Sequence, residues 1–402
     1  MDARSTVQPI ELQKAMHRFM AWLDAFGDTS QDQYDLWASP LGRWAKGTYY
    51  RNKWAGAPLV APLVLLDAVF PAARAFARRP HRFAIADAHY AMAFFALMEA
   101  EQDEAYGQRA HGYLQALVAE RCKGYEEYCW GYPFDWETAV GTLRAGTPLI
   151  TTIAYCYEAF EAGHEATGSA EYSAIMESVA RFAHESLTEA EVSPGVFACS
   201  YTPMDNRRVI NANAYRSYLL VTAGQRFGNK RWLETAAGNI RFVLQCQQED
   251  GAWFYAADGM DQFIDNCHTC FVLKNLIKIW RINRDPGLLS AIRRGYDFYK
   301  QHLLDERGLP LAFARTQRLN FIRVELYDYA EGINLALLMR EIDSDASKIL
   351  SRLLYSVLRD WALPDGHFAT RMTWVGKNSI PYHRWAQAQL FCSLAHCCLE
   401  MR

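Results

Sequence analysis

A repeat constrains this chain more than any single residue does. A Gly followed closely by an aromatic or Leu recurs as Gly131-Tyr132, Gly195-Val196-Phe197, Gly251-Ala252-Trp253, Gly308-Leu309 and Gly366-His367-Phe368, at steps of 64, 56, 57 and 58 residues. An amphipathic helical pattern precedes each Gly. Before Gly308, for example, Ile292, Tyr296, Tyr299 and Leu303 share one helical face and Arg293, Arg294, Asp297 and Lys300 take the other. A nearly all-apolar pattern follows, as in Leu149 to Phe160, Phe271 to Trp280 and Ala386 to Leu399. A helix apolar on most sides is surrounded by neighbours. Fixed-period self-similarity marks stacked or circular repeats. One exposed and one buried helix per unit implies two concentric layers, and a buried inner layer favours a closed ring over an open solenoid.

The expectation is therefore one all-α domain over residues 1–402, an (α/α)6 toroid with short β pieces in the loops of one face. Trp253-Phe254-Tyr255 and His367 to Thr370 have strand-like composition. The N-terminal third reads as helices at 8–26, 57–77, 84–101 and 105–121. Residues 28–54 read as a polar and aromatic loop. The apolar stretch Ala55 to Leu66, interrupted by Pro58 and Pro62, is too short to span a bilayer and reads as a buried helix of the first hairpin.

Apolar residues make up 51% of the chain, enough for a large core, and 22 Tyr and 12 Trp exceed what packing alone needs. The net charge of −3 supplies no electrostatic footprint for nucleic acid and no cationic membrane-surface patch. The start, MDARSTVQPIELQKAM, lacks a cationic region followed by an apolar core, so the ten Cys are expected to be reduced and buried and the protein cytoplasmic. Oligomeric state is left open.

About 16 residues separate each Gly from its inner helix, and long loops on one face of a repeat array are the usual functional face. Counting seventeen from each Gly reaches Pro148, Ala212, His268, Glu325 and His383, all near inner-helix starts. In a ring these starts converge on the central hole. Polar groups cluster there: Thr147 and Thr151; Asn211 and Asn213; Asp265, Asn266 and His268; Asp328 and Glu331; His383, Arg384 and Gln387. Asp135, Asp265, His268, Asp328, Glu331 and His383 are the candidates for acid/base catalysis, since burial perturbs pKa values as such work requires. Asp and Asn at helix starts are also ordinary N-caps, and a His there is often structural.

The segment Trp130-Gly131-Tyr132-Pro133-Phe134-Asp135-Trp136 offers flat apolar faces with one acid, which suits a sugar ring or, alternatively, an aromatic plug. Trp130, Tyr132, Trp136, Tyr201, Asn213, Trp253, Tyr255, Trp374, Tyr382 and Trp385 are the candidate sugar contacts. Arg144, Arg323 and Arg384 are the candidate partners of a carboxylate, as in a uronate. Cys267-His268-Thr269-Cys270 with Asp265 raises a zinc site, but adjacent Cys and His do not easily share one ion and no paired C-x-x-C supports them. No metal or other cofactor is expected.

Gln247-x-x-Asp250-Gly251-x-Trp253 followed by Asp265-x-x-His268-Thr269-x-Phe271 resembles the six-hairpin toroid proteins of bacterial polysaccharide gene clusters. Trp130 to Trp136 and Tyr382-His383-Arg384-Trp385-Ala386-Gln387-Ala388 resemble the same group, over about residues 35–398. Relatives of this architecture include unsaturated glucuronyl hydrolases, glucuronyl C5-epimerases and sugar 2-epimerases. The resemblance implies a carbohydrate enzyme of polysaccharide biosynthesis or modification acting on an acidic glycan by hydrolysis, elimination or epimerisation. A non-catalytic glycan-binding protein is the alternative. Gln247-x-x-x-Gly251-x-Trp253 also resembles the clamp motif of squalene-cyclase-like toroids, and the Asp265–Phe271 run resembles zinc-site segments of prenyltransferase β subunits, so a zinc-dependent prenyltransferase-like or terpenoid enzyme is a further one.

Overall fold

The computed structural model describes residues 7–76, 79–316, 322–374 and 376–401. Along the chain run α1 (Pro9–Phe26), α2 (Asp35–Ala38), α3 (Pro40–Arg51), α4 (Lys53–Val69), a 3-10 turn (Pro71–Phe76), α5 (Ala84–Glu101) and α6 (Glu104–Ala119). The β1 (Trp136–Thr138) and β2 (Gly141–Leu143) hairpin leads to α7 (Ile150–Thr167) and α8 (Ala170–Glu185). The β3 (Glu189–Ser193) and β4 (Val196–Cys199) hairpin leads to α9 (Ile210–Arg226) and α10 (Lys230–Gln245). Then come β5 (Ile264–Asp265), α11 (Asn266–Asn283), α12 (Pro286–His302), β6 (Phe313–Arg315), β7 (Ile322–Glu325), α13 (Leu326–Met339) and α14 (Ala346–Ser356). A π turn (Val357–Trp361), β8 (Arg371–Thr373), β9 (Gly376–Asn378), a kinked turn (His383–Gln387) and α15 (Ala388–Glu400) complete the chain.

Six inner helices, α5, α7, α9, α11, α13 and α15, each pack on the next, and α15 returns to α5 to close the ring. Outer helices α6, α8, α10, α12 and α14 each cover an inner partner, while α1 packs on α15 and joins the two ends of the chain in a sixth hairpin. Sequence patterning explains the layers. Residues 269–277 of α11 are buried without interruption, as an all-round apolar helix must be. Outer α12 starts at the Asp285 cap, whose carboxylate accepts from Gly287 N (2.6 Å) and Leu288 N (3.1 Å), with Pro286 at the first helical position. It buries the face carrying Leu288, Ile292, Tyr296 and Tyr299.

The repeated Gly has a steric cause. Gly251 sits at φ +92°, and a Cβ there would run into the Arg294 carbonyl of α12. Gln247 Nε2 clamps the same place, donating to the carbonyls of Gly251 (3.0 Å) and Ala291 (2.9 Å). Gly366 repeats the device at φ +111°, against the Arg18 carbonyl of α1. Gly251→Ala is expected to cost about 3 kcal/mol or more, combining left-handed strain with a backbone clash. Gly259→Ala (φ +79°, open space around the Cβ) is expected to cost only about 1–2 kcal/mol. Urea unfolding of the two variants checks the difference.

Three expectations change. Residues 28–54 are not all loop: Ser39 caps α3, accepting from Gly42 N at 3.1 Å, with Pro40 at the first helical position. Trp253–Tyr255 and residues 367–370 are not strands. Trp253 points into the core, its Nε1 donating to Val243 O at 2.8 Å, and the strands form beside these segments. The apolar stretch after residue 54 is helical, but not buried. α4 packs on α3 through a small cluster of Leu36, Ala45 and Leu63 that is separate from the main core. The expected end of that helix, residue 77, lies outside the described residues. No helix of the described residues is long and apolar enough to cross a membrane.

Candidate functional site

At the end of the ring where inner helices begin, loops and helix starts enclose a cavity of about 370 Å³. Its most reactive wall is the start of α11. Asp265 is the N-cap, held by β5–β6 pairing and accepting from His268 N at 2.9 Å. The same carboxylate meets His268 Nδ1 at 2.8 and 2.7 Å. A carboxylate only accepts, so Nδ1 carries the proton and Nε2 keeps its lone pair. Nε2 makes no hydrogen bond among the described residues, and His268 lines the cavity. The edges of Tyr255 (4.7 Å between centroids), Phe271 (5.3 Å) and Phe263 (5.9 Å) fix the ring plane.

Tyr132, Trp136, Tyr201, Tyr255 and Trp385 also line the cavity. Burial pushes the phenols of Tyr132, Tyr201 and Tyr255 up, so they stay protonated hydrogen-bond donors. Trp385 is held at φ +61°, a left-handed conformation that a bulky residue adopts only under constraint. The constraint is Arg384, buried completely and gripped bidentately by Asp32, with Nε donating at 2.7 Å. The guanidinium lies 3.7 Å from the Trp385 ring centroid and 4.3 Å from that of Tyr132, so one buried cation holds both rings. Arg384 is thus a support for the wall rather than a carboxylate receptor.

Asn211 also lines the cavity, and its Oδ1, though buried, has no hydrogen-bond partner among the described residues. Such an atom is costly unless a ligand satisfies it. Asn213, the nominated neighbour, turns away: its side chain accepts from Cys199 N (2.8 Å) and donates to Val209 O (2.9 Å). Two residues along a helix are about 200° apart, so only one of the pair can face the hole.

Several nominated residues lie elsewhere. Asp135 is outside the cavity lining, bound by Arg43 (2.8 Å), Arg144 (3.0 Å) and the Ala145 N–H (3.0 Å), the last being the main reason its carboxyl titrates low. Asp328 caps α13, accepting from Glu325 N at 3.0 Å; burial and then Glu325 drive its pKa far up. Glu331 is fully buried in an ion pair with Lys274. Trp130 spends its indole on Leu117 O (2.7 Å), Trp253 on Val243 O, and Tyr382 on buried Arg74. Arg323 lies 5.0 Å from the centroid of the exposed Trp374 ring, and neither lines the cavity.

His383 is buried, with Nδ1 against Tyr90 OH (2.7 Å) and Nε2 against Gly27 O (2.9 Å). Burial lowers its pKa to about 4. The sign follows: the unfolded chain takes up a proton near pH 6.5 and the folded chain only near 4, so His383 costs stability as pH falls across that window. His383→Gln is therefore expected to lose stability at pH 7.5 and to lose about 2 kcal/mol less at pH 4.5, read from urea midpoints at the two values.

Sequence reasoning passed over other cavity residues. Tyr34, Lys46 and Tyr50 come from the N-terminal segment that lies outside the repeat. Arg207, bound by Asp258 and by Asp261 (2.9 Å), carries no phase signal that would separate it from a surface ion pair, whereas Glu325, bound by Arg371, sits at the phase position but was not nominated for a role. Asp265, Cys267 and His268 place three ligand-type atoms within 4.8 Å of one another. Those are atom types zinc uses. To hold an ion there, Nδ1 would have to exchange its proton and its Asp265 bond for the metal.

No protein-family model and no curated protein sequence matches the chain. Solved structures do. Unsaturated glucuronyl hydrolase from Streptococcus agalactiae superposes with a TM-score of 0.60 over 98% of this chain and 92% of its own, at 10% identity. Cellobiose 2-epimerase from Bacillus thermoamylovorans B4167 gives 0.61 over 79% and 89%, at 10% identity. D-mannose isomerase gives 0.58 over 79% and 87%, at 13% identity. The chain is an (α/α)6 toroid. At these identities the likeness speaks for the fold. The toroid's other end, where the inner helices finish, holds a larger cavity of about 1060 Å³. It is lined by compensated charges such as Lys278–Glu158 (2.5 Å), and buried Tyr155 stands between the two cavities and touches both.

Proposed function

We propose that this toroid is a carbohydrate-processing enzyme that moves a proton on a sugar, in the manner of an epimerase or isomerase. One observation carries the reading: Asp265 locks Nδ1 of His268 as the proton-bearing nitrogen and leaves a basic Nε2 on the cavity wall. Nε2 takes the proton from the carbon next to the carbonyl of an open-chain sugar, and the electron pair moves onto the carbonyl oxygen. The protonated tyrosines Tyr201 and Tyr255 are the donors able to meet that oxygen. If the enolate turns over in the cavity before His268 returns the proton, the centre is inverted; if the proton is returned to the former carbonyl carbon while the neighbouring hydroxyl passes its proton to the former carbonyl oxygen, the carbonyl shifts. The aromatic lining suits the C–H faces of a sugar, and the orphan Asn211 Oδ1 suits a hydroxyl.

The names of the structural neighbours support a sugar substrate, since they include an epimerase, an isomerase and a hydrolase. Hydrolysis is favoured less. Of the carboxylates nominated for it only Asp265 lines the cavity, and the other lining acids are engaged: Glu325 by Arg371, Asp261 by Arg207, Glu137 by the Thr142 hydroxyl and Asp205 by the N–H groups of Tyr201, Thr202 and Arg207. A neutral sugar is favoured over an acidic glycan, because of the two lining cations Arg207 is already neutralised by two aspartates and Lys46 lies over the rings of Tyr34 and Tyr50. A place in polysaccharide biosynthesis rests on the motif resemblance alone. The test is a panel of reducing mono- and disaccharides incubated with the protein in D2O and followed by NMR. Deuterium gained at the carbon beside the carbonyl supports the reading. Glycosidic cleavage without exchange would replace it by hydrolysis, and binding without either would leave a glycan-binding protein.

A further inference from the structure

The chain's charge is sharply segregated. Between Pro40 and His81 the sequence carries seven Lys or Arg and one Asp, a net charge of +6 in a chain whose total is −3. The single acid, Asp67, faces inward to the buried Arg74. Arg51, Lys53 and Arg79 are exposed and make no ion pair among the described residues.

The same segment gathers exposed apolar side chains among the described residues. Eight of the fifteen exposed large hydrophobic residues lie between 41 and 76, so the exposure is concentrated rather than scattered. On α4 it forms one stripe: Trp54, Pro58, Ala61, Leu65 and Val69, with Ala57, Pro62 and Leu66 beside them, every one exposed and none polar. The spacing of three and four keeps the stripe on one face for about 25 Å. The opposite face, Gly56, Leu59, Val60 and Leu63, is the one that packs on α3. Trp54 is 92% exposed, and Phe70 and Phe76 extend the surface past the helix end at 52% and 88%.

We infer that the α3–α4 hairpin lies on the surface of a bilayer containing anionic lipid. Three considerations select that occupant. An apolar stripe edged by cations and aromatics matches the headgroup boundary, where acyl chains meet phosphate. A second copy would set the exposed Arg51, Lys53 and Arg79 of one face against the same cations of the other, because a two-fold interface joins a patch to itself. α4 is too short to cross a bilayer, and no helix among the described residues is long and apolar enough to do so, which fits a surface contact. The hairpin also adjoins the site: Lys46 and Tyr50 of α3 line the sugar cavity. The hairpin that meets the bilayer therefore also supplies part of the cavity wall, where a saccharide carried on a lipid would arrive. That last step rests on the proposed function; the surface contact does not.

Co-sedimentation with vesicles tests the contact on the whole protein. Binding is expected to vesicles of phosphatidylcholine and phosphatidylglycerol in a roughly 7:3 ratio, and to fall about tenfold between ~0.05 and ~0.5 M NaCl. Vesicles of phosphatidylcholine alone are expected to bind at least about tenfold less. Leu65→Ser with Leu66→Ser, and separately Arg51→Glu with Lys53→Glu, are each expected to weaken binding about tenfold or more while leaving the thermal transition in place. Absence of binding, equal binding to uncharged vesicles, or binding untouched by both pairs of substitutions overturns the inference. So does a dimer in solution, by light scattering, that the Leu65/Leu66 pair dissociates. Vesicle binding needs no turnover, so its failure and that of the sugar reading are separate results.

Discussion

His268→Ala is expected to lower kcat/KM for the responding sugar by about 10³-fold or more and to abolish deuterium exchange, since a positioned general base contributes on that order. The thermal transition should move little, because the ring packs only edge-on and Nε2 makes no hydrogen bond among the described residues. Asp265→Asn separates orientation from chemistry. Asn still caps α11, but its amide no longer forces the proton onto Nδ1, so kcat is expected to fall about 10- to 100-fold with KM nearly unchanged. Full exchange activity in His268→Ala would sink the proton-transfer reading.

Asp32→Ala is expected to have the largest effect on stability. Its loss leaves the guanidinium of Arg384 buried among aromatic rings with no counter-charge, and breaking such a pair costs about 3–5 kcal/mol. The damage is expected to reach function, because Arg384 is what holds Trp385 in its left-handed conformation against the cavity. Asp32→Leu combined with Arg384→Met removes both charges together. It should recover much of the stability, since an apolar pair often replaces a buried ion pair without loss, but not the affinity for sugar. Urea unfolding reads the first, and substrate titration at a fixed temperature reads the second. Wild-type affinity in the double variant would remove Arg384 from its supporting role.

Much of this architecture was legible because a repeat states the same packing problem several times. The Gly before each aromatic, the striped outer helix and the all-round apolar inner helix recur at about 57 residues, and only a ring or a stack answers them together. The N-terminal hairpin was not legible in that way. It stands outside the repeat, and the apolar run after residue 54 looked like core. Its exposure became visible only when α3 proved to cover one face and none of the described residues covered the other. Whole-chain charge misled for a related reason: −3 is an average that conceals a +6 segment.

For the site, the sequence by itself determined where to look, namely the starts of the inner helices, because a fixed phase in a closed ring must converge on the hole. It also placed Asp265 three residues before His268, the spacing at which an N-cap carboxylate meets the side chain above it. Only the tertiary structure decided which residues at those starts face inward. Asn211 and Asn213 differ by two positions and point about 200° apart. His383 shares the phase of His268 but is taken up by Tyr90 and Gly27, while Trp385, two residues on, reaches the cavity through a backbone twist that local propensity does not favour. Helix phase is a local property, whereas the direction of the hole is set by how six hairpins close on one another.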